Sequence, residues 1–156
     1  MLKKYWKMIA AAAAVIIASY LISTYFVQVM MIHGDSMYPA LKNMHFALID
    51  KRANEFVAGD VIVFRSDGLK SMLVKRVVAV PGDSVRIEGG KLYVNDEESP
   101  LYKGLEIEYP GLLASETVLG ADEYAVLGDN LSKSKDSRYE EVGLINKSDI
   151  IGKVIM

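Results

Sequence analysis

The chain reads as a mainly β protein: an antiparallel, strand-rich domain, barrel-like or built of curled sheets, preceded by one transmembrane helix. Three observations lead to this. Met8 to Gly34 contains no Lys, Arg, Asp or Glu. Beyond it the hydrophobic pattern changes to short, β-branched runs. Those runs follow one another closely, with Gly, Pro, Asp or Asn near most of their ends, as in sandwiches and barrels.

The helix comes first. Met8–Val29 is rich in Ala, Ile, Val and Leu, and its roughly 22 residues at about 1.5 Å each match a hydrocarbon layer of about 30 Å. A helix satisfies its own backbone groups, so such a run can cross lipid. Tyr5 and Trp6 precede the run, and Tyr20, Tyr25 and Phe26 lie toward its far end, where interfacial aromatics belong. Lys3, Lys4 and Lys7 put the N-terminal side in the cytoplasm and the remainder on the outer face. A cleavable leader has a shorter apolar core and a small-residue exit. This run leaves through Val27-Gln28-Val29-Met30-Met31, so an uncleaved anchor is expected. The expected partition is 1–7 cytoplasmic, 8–29 anchor and 30–156 an extracytoplasmic domain.

The strands follow in order. Residues 47–50, 60–64, 73–80 and 84–87 are short and mostly β-branched. Glu88-Gly89-Gly90-Lys91 turns the chain into Leu92-Tyr93-Val94 as a hairpin. Asn95 to Pro100 makes another turn, and 124–127 and 150–155 supply two more strands. Residues 101–120 give weak signals, with Pro110 and Gly111 marking a loop or short insertion.

Composition narrows the chemistry. The 156 residues suit one domain, and the net charge of -2 gives no basic footprint for nucleic acid. Without cysteine there is no disulfide framework, thiol nucleophile or Cys-ligated zinc, and two histidines cannot make a three-His metal site. Few bases remain for nucleophilic chemistry.

Four segments carry what chemistry there is. Gly34-Asp35-Ser36-Met37-Tyr38-Pro39, taken alone, is ordinary turn sequence just past the anchor. Val74-Lys75-Arg76-Val77-Val78 places a lysine inside an apolar strand, with Lys75 expected on the face of Val77 and Ala79. Either Lys75 snorkels from an edge strand, or it is buried, with its pKa lowered and a neutral amine able to take a proton from a serine. Val80-Pro81-Gly82-Asp83 is a strong turn. Gly128 to Arg138 is a polar loop with Ser132, Ser134 and Ser137 among opposite charges. His33, three residues from Ser36 on an extended segment, is badly placed to be its base.

Together and in this order, these segments resemble those of bacterial type I signal peptidases, in the compact Gram-positive-like form with one N-terminal anchor. That family carries Ser-Met-x-Pro after an anchor, then Lys-Arg-Val-x-x-x-Pro-Gly-Asp, then Gly-Asp-Asn…Ser-x-Asp-Ser-Arg. The resemblance implies a membrane-anchored serine endopeptidase that removes signal peptides from exported preproteins after small residues. Ser36 is the implied nucleophile and Lys75 the general base. Ser134 is implied to orient the lysine, and Asp136 and Arg138 to form a structural ion pair that Arg76 joins. The Ser36 backbone N–H is one implied oxyanion donor; Gly34 stands at the second position, where some members have a serine, leaving that donor to a backbone N–H or a water. Ile32, Leu41, Leu73 and Val74 match the pocket positions, with Met37 beside them. The implied partners are preprotein signal peptides and membrane lipid, with no metal, cofactor or nucleic acid. Two other readings are a catalytically silent tethered binding protein of the same fold and a self-cleaving regulator, although such regulators carry a DNA-binding module where this chain has its apolar run.

Overall fold

The computed structural model describes residues 2–155. Met1 and Met156, the outer bounds of the predicted cytoplasmic and extracytoplasmic segments, lie outside it. Helix α1 spans Leu2–Tyr25. Its Tyr5–Ile22 stretch is long and apolar enough to cross a membrane and buries nothing against the rest of the chain. The helix stops four residues short of the predicted Val29. Phe26 closes it by donating to the Ile22 carbonyl, and Val27–Met31 is already strand β1. All five β1 residues pair antiparallel with β2, Phe46–Asp50. The apolar run passes from helix to strand with no glycine or proline between, so its sequence hides the boundary.

Nine further strands follow: β3 Val61–Ser66, β4 Ser71–Ala79, β5 Ser84–Glu88, β6 Lys91–Val94, β7 Glu97–Glu98, β8 Thr117–Val118, β9 Glu123–Leu127, β10 Ile145–Asn146 and β11 Ile150–Ile155. They form a seven-stranded sheet in the order β1-β2-β11-β3-β4-β9-β10 and a four-stranded sheet in the order β7-β6-β5-β8. Every pairing is antiparallel. The predicted mainly β class behind one apolar helix is what the chain adopts, as two antiparallel sheets.

Strand β3 is apolar on both faces because both faces are covered. Val61 and Val63 enter one cluster with Ile32, Met37 and Ile49, while Ile62 and Phe64 enter another with Phe56, Tyr124 and Val126. Each such burial contributes about 1.5–3 kcal/mol relative to exposure. Strand β4 does not keep its predicted alternation. Its register against β9 shifts between Val77 and Ala79, a bulge that sends Val77 into the Phe64 cluster and both Val78 and Ala79 into a third. That third cluster includes Val85, Ile87 and Leu92, so the bulge is where the large sheet seats the small one.

Candidate active site

The segment after β1 carries Ser36. Two backbone bonds, Ile32 to His45 and Met44 to Ile32, extend the β1–β2 ladder beyond the strands. Gly34 then turns the chain at a φ of +93°, a conformation that glycine adopts without strain. Its N–H donates to Asn43 Oδ1 at 3.0 Å. Met37 is buried beneath the turn, and the Ser36 carbonyl accepts a bond from the Asn130 N–H at 2.9 Å.

Lys75 lies in the middle of β4 and is only 3% exposed, so the snorkelling alternative fails. Its Nζ is 2.7 Å from Ser36 Oγ. Among the described residues no carboxylate is within ion-pair distance of that nitrogen. Burial pushes the Lys75 pKa down to about 8; the charges of Asp136 and Asp129 pull it back and that of Arg138 lowers it further. The pair is therefore a hydroxyl in contact with an amine that sheds its proton near neutrality, the requirement for a serine–lysine nucleophile.

The 128–138 loop closes the site from behind. Asp136 is fully buried, and its carboxylate takes both the Nε and an Nη of Arg138, at 2.7 and 2.9 Å. The same carboxylate accepts the Gly128 N–H at 3.0 Å. Arg138 also donates to the Leu131 carbonyl at 2.9 Å, so the ion pair is fully hydrogen-bonded and knits the loop together. Arg76 does not join it. Its guanidinium forks onto Asp129 at 2.6 and 2.7 Å and donates to the Gly59 carbonyl. Two separate ion pairs, rather than one triad, result: Asp136–Arg138 ties the loop to itself, and Arg76–Asp129 ties it to β4.

Two more expectations meet a different geometry. Ser134 is buried, but among the described residues its Oγ has no hydrogen-bond partner and does not bond Lys75. It rests against Gly128, where an added Cβ would come within 2.2 Å of the Ser134 hydroxyl and 2.6 Å of the Ser36 carbonyl. The Gly34 N–H is spent on Asn43, leaving it unable to serve as an oxyanion donor in this arrangement. Among the described residues the Ser36 N–H has no partner within the protein and is free to donate.

A cleft of about 390 Å³ opens beside the dyad. Ile32, Met37, Leu73 and Val74 line it with Ser36 and Lys75, whereas Leu41 packs in the cluster behind it. Sequence reasoning missed Met30, Met31, His33 and Met72 in the lining. It also missed Asp129, whose signal was an unassigned acid in the same polar loop, and Tyr102, whose buried hydroxyl reaches the Gly128 carbonyl at 3.5 Å. Burial holds that phenol above its usual range and keeps it neutral. Residues 101–120 acquire a place here: the Tyr109 carbonyl accepts from Arg138, and the Leu112 N–H donates to the Arg138 carbonyl. Gly111 has no room for a Cβ, which would fall 1.9 Å from that carbonyl. Among the described residues, no group of three His, Asp or Glu side chains is placed to hold a metal ion.

Comparison with known proteins covers nearly the whole chain. The family model described as signal peptidase, peptidase S26, matches residues 3–156. Signal peptidase I U of Bacillus subtilis is 33% identical over 96% of this chain and 86% of its own. Signal peptidase IB of Staphylococcus aureus is 30% identical over 99% of this chain and 89% of its own. A crystal structure of a signal peptidase I from Enterococcus faecalis superposes with a TM-score of 0.53, at 24% identity, over 65% of this chain and 97% of that one. This last likeness bears on the fold.

Proposed function

Since the chain belongs to the signal peptidase family, peptidase S26, whose members are serine endopeptidases, we propose that it removes signal peptides from exported preproteins with Ser36 as nucleophile and Lys75 as general base. The observation that carries this is the 2.7 Å contact between Ser36 Oγ and a buried Lys75 that has no carboxylate partner among the described residues. Neutral Lys75 takes the Ser36 proton as Oγ attacks the scissile carbonyl. The Ser36 N–H stabilises the oxyanion, a donor worth about 3–4 kcal/mol in such sites. Lys75 then passes the proton to the leaving amine and activates the water that releases the acyl group.

The cleft favours an extended substrate. Strand β9 pairs with β4 only from Arg76 onward, so the edge of Ser71–Lys75 on that side is open to a peptide. Methionine, leucine and valine around it leave shallow apolar pockets suited to small side chains before the cut.

Membrane anchoring by α1 is part of the proposal, with the three N-terminal lysines in the cytoplasm and the β domain outside. Contact of that domain with lipid is supported by Val29, Met31, Phe46, Leu48 and Ile155. All five are exposed, and their register puts them side by side on one face of β1, β2 and β11, directly past the helix. Ser36→Ala and Lys75→Ala are each expected to abolish cleavage of a preprotein in detergent, and full activity in Lys75→Ala refutes the dyad. Protease added outside intact cells should digest the β domain; its protection reverses the orientation.

A further inference from the structure

The joint between α1 and the sheet is built around one side chain. A helix end leaves its last carbonyls without partners and carries partial negative charge. The last turn of α1 contains no basic residue to meet it. Lys51, the residue after β2, meets it from across the ladder. Its Nζ donates to the Thr24 carbonyl at 2.7 Å, and its backbone N–H donates to the Phe26 carbonyl at 2.9 Å. It therefore grips the chain on both sides of the helix end. Thr24 also donates its hydroxyl back to the Tyr20 carbonyl at 2.8 Å. Arg52 lies over the Phe26 ring at 5.7 Å. The neighbouring acid does not compete: Asp50 is bidentate to Arg52, and no carboxylate forms an ion pair with Lys51 among the described residues.

The grip is mechanically connected to the reaction. Strand β2, which ends one residue before Lys51, pairs with β1, the strand that leads into Ser36. It also pairs with β11, which continues through β3 to β4 and Lys75. The direction in which the helix enters the sheet thus sets how Ser36, Lys75 and their cleft stand relative to the bilayer that the helix crosses.

We propose that Lys51 is a positioning residue: its bond to the Thr24 carbonyl fixes the angle between anchor and sheet, and so the height above the bilayer at which the cleft receives a membrane-held substrate. This rests on the peptidase reading above. It concerns only substrates whose own apolar segment sits in lipid, because a short soluble peptide can reach the cleft at any angle.

That asymmetry supplies the test. The full chain and its Lys51→Met and Lys51→Arg variants are reconstituted in lipid vesicles. Each is assayed on a preprotein embedded in the same vesicles and on a short soluble peptide spanning the same cleavage site. The Lys51→Met variant should lose about tenfold in rate on the preprotein, the scale of one charge-assisted bond at a helix terminus, while its kcat/KM on the peptide stays at the wild-type value. Lys51→Arg, which keeps a cationic donor, should restore most of the loss. A series of preproteins differing in the spacer between apolar segment and cut should show one preferred length for the wild type and a broadened preference for Lys51→Met. Equal loss on both substrates makes Lys51 a scaffold residue and overturns the proposal, as does no loss on either. If the wild-type chain cleaves neither substrate, the peptidase reading fails and the positioning role goes with it.

Discussion

The two sides of the proposed dyad are held by different means. Lys75 stands on a central strand, backed by a loop held by a buried ion pair, Asp136 to Arg138, and a partly buried one, Asp129 to Arg76. Ser36 stands on an arm that continues an edge strand, held by the Asn43 side chain, the Asn130 amide and the buried Met37. A buried ion pair is costly to break from one side, because the remaining charge stays out of water. A neutral bond on an exposed turn exchanges with water at small net cost. The base is therefore fixed by structure that cannot yield locally, whereas the nucleophile's arm can adjust as a peptide enters the cleft.

The sharpest way to break this contrast is to remove one neutral polar or charged group from each side. Asp136→Asn leaves the Arg138 guanidinium, 2% exposed, without its counter-charge. It should cost about 3–5 kcal/mol in stability. Asn43→Ala removes one bond from the Gly34 N–H and should cost about 1 kcal/mol or less. Denaturant unfolding of the two variants reads both values; similar losses would mean that the two sides are equally rigid.

The next effect is on rate rather than stability. With a Lys75 pKa of about 8, the neutral amine dominates above that value and falls tenfold per pH unit below it. Activity should therefore drop to about 1% of its plateau by about pH 6. Stability moves the same way over a different window. The unfolded chain keeps the lysine proton up to the ordinary value of 10.5 and the folded chain loses it near 8, so the unfolded state binds more protons between the two and folding is favoured as pH rises there. A rate that stays flat from pH 6 to 9 removes Lys75 as a neutral base.

How much of this was readable in the sequence follows the same division. Lys75 was visible because a cation inside a β-branched run is locally inconsistent, and such inconsistencies gather at functional sites. The serine was not: Gly-Asp-Ser is turn chemistry, and only the order of all four segments linked it to the lysine. The longer strands of both sheets were legible from their composition, but the two-residue strands β7, β8 and β10 were not, being too short to show a pattern, nor was β1, since its residues continue the apolar composition of the helix. Pairing between distant charges was also out of reach. Nothing local tells Arg76 to choose Asp129, 53 positions away, over Asp136. The support that residues 109–112 give Arg138 depends on a glycine whose need appears only when the Arg138 carbonyl is in place.

The smallest expected effect tests where the base side has slack. Ser134 Oγ is a buried hydroxyl without a partner among the described residues, and such a group ordinarily costs about 1–3 kcal/mol in lost hydration. Removing it should relieve that cost, so Ser134→Ala should unfold at the same denaturant concentration as the wild type or a slightly higher one. If the hydroxyl turns to Lys75 Nζ once Ser36 has given up its proton, the same variant should lose about tenfold in kcat with KM unchanged, the mark of an interaction made only in the transition state. The position favours such a role, because Ser134 shares the crowded face of Gly128 with the Ser36 carbonyl. A stability loss with unchanged kcat would instead make the side chain packing for Gly128, and the aim of the lysine would then rest on burial and its contact with Ser36 alone.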